Sequence, residues 1–197
     1  MASATVIPRI TPEQYLALER KADFKSEYSN GFIIAMAGAS RAHNLITGNI
    51  HGEIRSQLKG HPCRAYACDM RLRVTPTGLY AYPDVMAVCG AAAFEDDEVD
   101  TLLNPTMIVE VLSPTTEAFD RGDKFRQYRE LASLREYVLI AQDKVLVERY
   151  ARQGEDWLLT VSRSLDESLR LASIDCEIPL REIYAKVKLP GEEVSGN

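Results

Sequence analysis

Three charged side chains stand where the surrounding pattern asks for apolar ones. Glu110 lies in Met107-Ile-Val-Glu-Val-Leu112, a run apolar on both faces, as a central strand is. Strand alternation puts Ile108, Glu110 and Leu112 on one face and Met107, Val109 and Val111 on the other. Asp84 enters a second apolar strand, Tyr82-Pro-Asp-Val-Met-Ala-Val88, where Pro83 marks the strand's start or an edge bulge. Lys124 follows Asp120-Arg-Gly-Asp123, which offers an N-cap and an acid at N3 and predicts a helix beginning at Asp120. Lys124 and Arg121 would then stand in the first turn, where the helix dipole disfavours cations and an anion is welcome. Each residue also has an ordinary reading: a paired acid at a strand end, a turn aspartate bonded to backbone amides, a solvated lysine bonded to Asp120 or Asp123. Together they make a chemistry. Two carboxylates from neighbouring strands can grip one hard divalent cation such as Mg²⁺. Such an ion binds phosphate oxygens and lowers the pKa of a bound water. A nearby lysine can orient that water and offset charge developing on the phosphorus. Metal, water and cation are the minimum for hydrolysing a phosphodiester.

The elements that must hold these residues are legible in outline. Thr11-Pro-Glu13 predicts a capped helix to about Lys21. Gly31 to Met36 reads as a strand after the turn residues Asn30-Gly31. Arg41 to Lys59 repeats Leu45, Ile46, Ile50, Ile54 and Leu58 at helical spacing, and Gly60 can close that helix. Strands follow over Tyr66–Val74, Tyr80–Cys89 and Thr106–Leu112, then a helix over Asp120–Ala132, on which Phe125, Tyr128 and Ala132 form an apolar stripe. Strands at Glu136–Ala141, Val145–Tyr150 and Trp157–Ser162 and a short helix near Pro179–Tyr184 complete the chain. Long helices flanking a run of strands predict one α/β (α+β) domain with a central mixed sheet. It would span residues 9–188, between tails at 1–8 and 189–197.

Composition bounds the rest. The 197 residues are 46% hydrophobic and 26% charged, ordinary for a globular chain able to bury its own core. No apolar run is long enough to span a membrane and no export signal is visible, so the expectation is a cytoplasmic protein with no membrane partner. The four cysteines, Cys63, Cys68, Cys89 and Cys176, then read as reduced thiols; a zinc site from His61, Cys63 and Cys68 lacks the usual spacing and a fourth ligand. A formal charge of −6 argues against indiscriminate nucleic-acid binding, but Arg41 to Arg73 carries six Lys/Arg against two acids. The acidic run from Glu95 to Asp100 reads as a solvated surface.

The ordered set Pro83-Asp84, Glu110-Val-Leu-Ser-Pro-Thr115, Arg121-Gly-Asp-Lys124 and Tyr128 resembles the Uma-type restriction endonucleases of the PD-(D/E)xK nuclease superfamily. The likeness runs from about Glu27 to Tyr184 and includes Glu27-Tyr-Ser-Asn-Gly-Phe32, Ala42-His-Asn44 and Glu136-Tyr-Val138. It implies a restriction-endonuclease-like core and a metal-dependent nuclease. By position, Asp84 and Glu110 match the motif acids. A common superfamily pattern puts lysine two residues after the acid, where this chain has Leu112, and the family places it on the following helix, at Lys124. Glu27 matches an acid before the first core strand that could touch the metal directly or through water; a surface glutamate at a helix end is its other reading. The expectation is a Mg²⁺- or Mn²⁺-dependent endonuclease acting on DNA. Asp84, Glu110 and Lys124 would be catalytic, with Asp84, Glu110 and Glu27 on the metal. His43, Arg41, Arg55, Arg71, Arg73 and Arg121 would contact DNA. A homodimer would suit double-strand cleavage. The alternatives are a catalytically inactive nuclease-like module that binds DNA or protein, and a phosphodiesterase for small nucleotides.

Overall fold

The computed structural model describes residues 9–36 and 38–190. The tail expected at 1–8 lies outside them, as does all but Leu189 and Pro190 of the tail expected at 189–197. The chain opens with helix α1 (Pro12–Glu19), capped reciprocally by Thr11 and Gln14. Strands β1 (Ser26–Ser29) and β2 (Phe32–Ala35) form a hairpin. Its two-residue turn, Asn30 and Gly31, has φ of 52° and 90°, the left-handed pair that matches strand twist. Gly31 is required there twice over, since a Cβ would also come 2.7 Å from Cβ of Arg9.

Helix α2 (Arg41–Gln57) starts at Ser40, whose hydroxyl accepts from the His43 amide, and buries the stripe Ile46, Ile50 and Ile54. The strands that follow are β3 (Cys63–Ala67), β4 (Arg71–Val74), β5 (Leu79–Ala81), β6 (Val85–Cys89), β7 (Thr101–Leu102) and β8 (Met107–Leu112). A helical segment comes next: α3 (Glu117–Phe119), a π turn (Asp120–Lys124) and α4 (Phe125–Tyr128). Strands β9 (Glu136–Ala141), β10 (Val147–Gln153), β11 (Asp156–Ser162), β12 (Ser168–Leu171) and β13 (Cys176–Pro179) and helix α5 (Leu180–Ile183) complete the fold.

Two mixed sheets dominate this α+β structure. The larger runs β11-β10-β9-β8-β6-β3 and the smaller β2-β1-β5-β4-β7. In the larger, β8 and β9 are parallel and the other neighbours antiparallel. β8 is central, and its alternation sorts the core as its sequence predicts. Met107, Val109 and Val111 pack with Ile46, Ile50 and Ile54 of α2 and with the β12–β13 hairpin. Ile108 and Leu112 face the opposite layer, with Phe125 and Tyr128 and the inner side of the smaller sheet at Leu72, Val74, Leu79 and Ala81. Glu110 therefore points into that second layer.

Four expectations are corrected. Tyr80–Cys89 is two strands, because Tyr82-Pro83-Asp84 carries the chain from the smaller sheet to the larger. Pro83 lacks the N–H that a continuous ladder would need. Tyr66–Val74 is likewise split, at a turn closed by the Met70 amide on the Ala67 carbonyl. The helix expected at Asp120 begins at Glu117, so Asp120 is buried inside it instead of capping it. Lys124 is accordingly not in a first turn. The thiols of Cys63 and Cys89 form a disulfide between β3 and β6, where the two residues are direct register partners; Cys68 and Cys176 are free.

The acidic run is not merely solvated either. Glu95 pairs with Arg73, Asp96 with Arg20, and Asp100 with both Arg20 and Arg71. The strand β1 and the β12–β13 hairpin had no signal in the sequence strong enough to name them. Both are four-residue strands, too short for a period to emerge. Among the described residues, no helix is long and apolar enough to cross a membrane.

Candidate active site

Three elements converge on one ammonium group. The Lys124 Nζ lies 3.0 Å from Glu110 Oε1 on β8, 3.1 Å from Glu27 Oε1 on β1 and 3.4 Å from Asp120 Oδ1 one turn earlier in its own helix. Lys124, Glu110 and Asp120 are buried, and Glu27 is 9% exposed. Lys124 reaches this point from a π turn, an irregularity that recurs at functional sites. The Tyr128 hydroxyl donates to Glu110 Oε1 at 2.9 Å, and the Tyr137 hydroxyl holds the π turn through the Asp120 carbonyl at 3.0 Å.

Asp84 stands at the mouth of β6, just past Pro83. Its Oδ2 accepts from the Val111 amide of β8 at 2.7 Å. This is the amide-bonded role foreseen for a turn aspartate, but the amide belongs to the neighbouring strand. The bond ties Asp84 to the residue next to Glu110. The His43 Nε2 is 3.3 Å from the same oxygen, so α2 reaches the site through its first turn. The Glu27 Oε1 also accepts from the Tyr82 amide at 3.4 Å, which fixes the crossing between the sheets.

The electrostatics are unbalanced. Burial, reinforced by the charges of Asp120, Asp84 and Glu27, pushes the Glu110 carboxyl up to about 8 despite the pull of Lys124. Burial also raises Asp120. For Lys124, burial works against the charge, but Glu110, Glu27 and Asp120 outweigh it and hold the ammonium protonated. For His43, burial lowers the pKa, and the hydrogen bond and charge of Asp84 more than restore it. Three carboxyl groups share one ammonium, with a fourth acid close by, so acids are in excess where water is scarce, and burial holds Glu110 back from ionising.

That surplus suits a divalent cation, and the donors are carboxylate oxygens, the hard ligands Mg²⁺ takes. Asp120 Oδ1 is buried without a hydrogen bond. Among the described residues, however, no group of three or more His, Cys, Asp or Glu side chains is arranged as a metal cage. Lys124 occupies the point where three of the carboxylates meet. The residues therefore fit an ion held by few protein oxygens and completed by water and substrate, as Mg²⁺ commonly is.

The expected DNA contacts divide. Arg41 and Arg55 are exposed on α2. Arg121 is engaged by Glu117 and Glu148. Arg71 is buried, bonded to the Tyr82 hydroxyl, Thr101 and Asp100. Arg73 lies over the Tyr80 ring and pairs with Glu95. Arg71 and Arg73 are thus spent inside the smaller sheet.

Comparison with known proteins follows the same outline. The model of the Uma2 family, described as putative restriction endonuclease, matches residues 12–181. The chain belongs to the Uma2 family. Two uncharacterized proteins of Synechocystis sp. are close relatives. One is 34% identical over 178 residues, 90% of this chain and 92% of its own. The other is 38% identical over 152 residues, 77% of this chain and 86% of its own. The crystal structure of a putative nuclease belonging to DUF820, from Anabaena variabilis, matches with a TM-score of 0.72 at 20% identity, over 89% of this chain and 97% of that one. At that identity the likeness speaks for the fold.

Within this Uma2 chain, two site residues escaped the sequence reading. Asp120 read as a helix cap and Tyr128 as core. Tyr128 is fully buried and also bonds Glu110. The spacing Asp120, Lys124, Tyr128 was the available signal, since residues four apart share a helix face.

Proposed function

We infer that this Uma2 protein is a Mg²⁺- or Mn²⁺-dependent endonuclease that hydrolyses phosphodiester bonds of DNA. The observation that carries the reading is Lys124 Nζ within 3.1 Å of both Glu110 and Glu27, with Asp84 bonded to the amide that follows Glu110. Asp84 and Glu110 would hold the metal, with Glu27 beside them. When bound, the ion would bind phosphate oxygens and supply a water of lowered pKa.

The chain's own groups do the rest. The Val111 amide fixes the Asp84 carboxylate, and Tyr128 fixes Glu110. Lys124, held protonated, orients the attacking water and offsets charge developing on the phosphorus. His43, hydrogen-bonded to Asp84, stands where α2 would meet a phosphate. Arg41 and Arg55, exposed on the same helix, would add positive charge beside it. Binding carried by such contacts weakens as salt rises.

The test is nicking of supercoiled plasmid with Mg²⁺, Mn²⁺ or EDTA, by wild type and by Asp84→Ala, Glu110→Ala and Lys124→Ala. The expected result is metal-dependent cleavage, lost in all three variants. Cleavage kept by Lys124→Ala would free the lysine of its role. No cleavage by wild type, with DNA still retained, would leave a binding module on a nuclease fold. Cleavage of an aryl phosphodiester that survives charge reversal at Arg55 would point to small nucleotides instead.

A further inference from the structure

Strand β2 is apolar, and among the described residues the Arg9 guanidinium over the Phe32 ring is the one charged group set against it. Its four residues, Phe32 to Ala35, are all exposed, Phe32 by 47% and Ile34 by 48%. Phe24 and Met36 extend the exposed apolar surface along the same hairpin. The outer edge of β2 pairs with no strand among the described residues. It also lacks the charge, proline or bulge with which natural edges are blunted. The exposed area on Phe24, Phe32, Ile33, Ile34 and Met36 is on the order of 500 Å², against roughly 800 Å² per partner in a stable interface.

The backbone says what shape the partner has. Antiparallel pairs alternate between bonded and non-bonded. The two-residue turn makes Ser29 and Phe32 a bonded pair, and the Met36 amide donates to the Lys25 carbonyl at 3.1 Å. Phe32 and Ile34 therefore spend their amides and carbonyls on β1, and Met36 its amide on Lys25 just before it. Those of Ile33 and Ala35 point outward. A second β2, antiparallel about a two-fold axis at Ile34, would set Ile33 of each copy against Ala35 of the other and satisfy every outward group.

We propose that β2 is the dimer interface of this protein, joined edge to edge to β2 of a second copy. The proposal deepens the nuclease reading, because a second strand of DNA needs a second site. Ile34 is the register partner of Glu27. The row Glu27, Ile34 and their two counterparts spans three strand spacings, so the two Glu27 backbones would lie about 14 Å apart. A strip whose one charged neighbour is Arg9, on a chain of net charge −6, offers little to phosphates, which disfavours DNA as the occupant.

The experiment is sedimentation velocity of the full chain over a dilution series, with hydrogen exchange read at individual amides. The expected mass is twice the 22.0 kDa of the chain, with slowed exchange at Ile33 and Ala35 in the concentrated sample. Ile33→Lys should halve the mass. Ala35→Pro should do the same, because it deletes an outward N–H and no bond within the hairpin. Both should keep cooperative unfolding and plasmid nicking while losing double-strand cutting, and their Tm should no longer depend on protein concentration. Leu158→Lys, on the exposed outer strand β11, should leave the dimer intact.

A monomer at every concentration overturns the proposal. So does a dimer that survives both β2 variants, or one lost in Leu158→Lys. The Ile10 amide bonds the Gly31 carbonyl, so the described chain begins beside β2. A monomer whose Ile33 and Ala35 amides lose protection when residues 1–8 are removed would assign the edge to the chain's own first residues. A dimer that cleaves nothing supports the interface and overturns only the nuclease reading.

Discussion

Two charge clusters sit in this molecule, one buried and one partly exposed, and they behave in opposite ways. Around Lys124, the carboxylates of Glu27, Glu110 and Asp120 share a single ammonium. Around Arg71, the guanidinium groups of Arg20, Arg71 and Arg73 face Asp96, Asp100 and Glu95 one for one. In the balanced cluster the Arg20 hydrogen bond and its neighbours hold Asp100 down to about 2. In the unbalanced one burial drives Glu110 up to about 8. The same residue types make a staple in one place and an unfinished site in the other. Charge count decides which: a closed set keeps its carboxylates ionised, whereas a buried surplus of acids is relieved by protonation, as at Glu110, unless a cation joins it.

The largest expected effect comes from removing the one cation of the unbalanced set. Lys124→Met leaves its carboxylates buried and unpaired, which should cost about 3–5 kcal/mol. Urea unfolding in EDTA measures it, and a loss no larger than that of a surface pair would break the contrast. Next comes the metal. Mg²⁺ at a hundred times its Kd should stabilise the wild type by about 2.7 kcal/mol, read as a rise in Tm, and Glu110→Gln should abolish most of that rise.

The metal-free protein carries a pH signature as well. Folded Glu110 keeps its proton up to about 8, against an ordinary value of 4.5. The folded state binds more protons across that window, so stability falls as pH rises through it. Glu110→Gln should flatten that slope in thermal melts run in EDTA. The Asp100 cluster has the reverse sign: its contribution is present above the ordinary 3.8 and is lost as pH falls through about 2.

A smaller effect is expected at Tyr128→Phe. It deletes one buried hydrogen bond to Glu110, worth about 1–2 kcal/mol in unfolding, and should lower cleavage without abolishing it. The smallest lies in the balanced cluster's partly exposed rim. Arg20→Ala should change stability by about 1 kcal/mol or less and leave cleavage untouched.

The sequence was legible where a residue broke a long pattern. Glu110 interrupts a six-residue strand that is buried throughout, so its face and its isolation could both be read from alternation alone. Lys124 was legible as a charge but not as a position. Local capping chemistry at Asp120 outweighed the four-residue spacing to Tyr128 that shows the buried face. Arg71 and Arg73 misled because charge along the chain says nothing about partners far away in it. The acids that engage them come more than twenty residues later, on the loop that precedes β7. The cysteine pair was hidden for the same reason: Cys63 and Cys89 become neighbours only through the register of β3 and β6.

The π turn sets the clock position of the site. A ring closed from residue i to i+5 holds one residue more than an α turn, and each residue of an α-helix advances the helix by about 100°. Everything after Asp120–Lys124 is thus dialled round relative to α3. That dial lets Phe125 stack on Tyr137 at 4.9 Å while its immediate neighbour Lys124 enters the carboxylate cluster. Gly122 sits in the middle of this turn with open space around it. Deleting that single residue would leave every charged group in the sequence and turn the lysine away from its acids. In such helices a one-residue gap is a change of angle, not of composition.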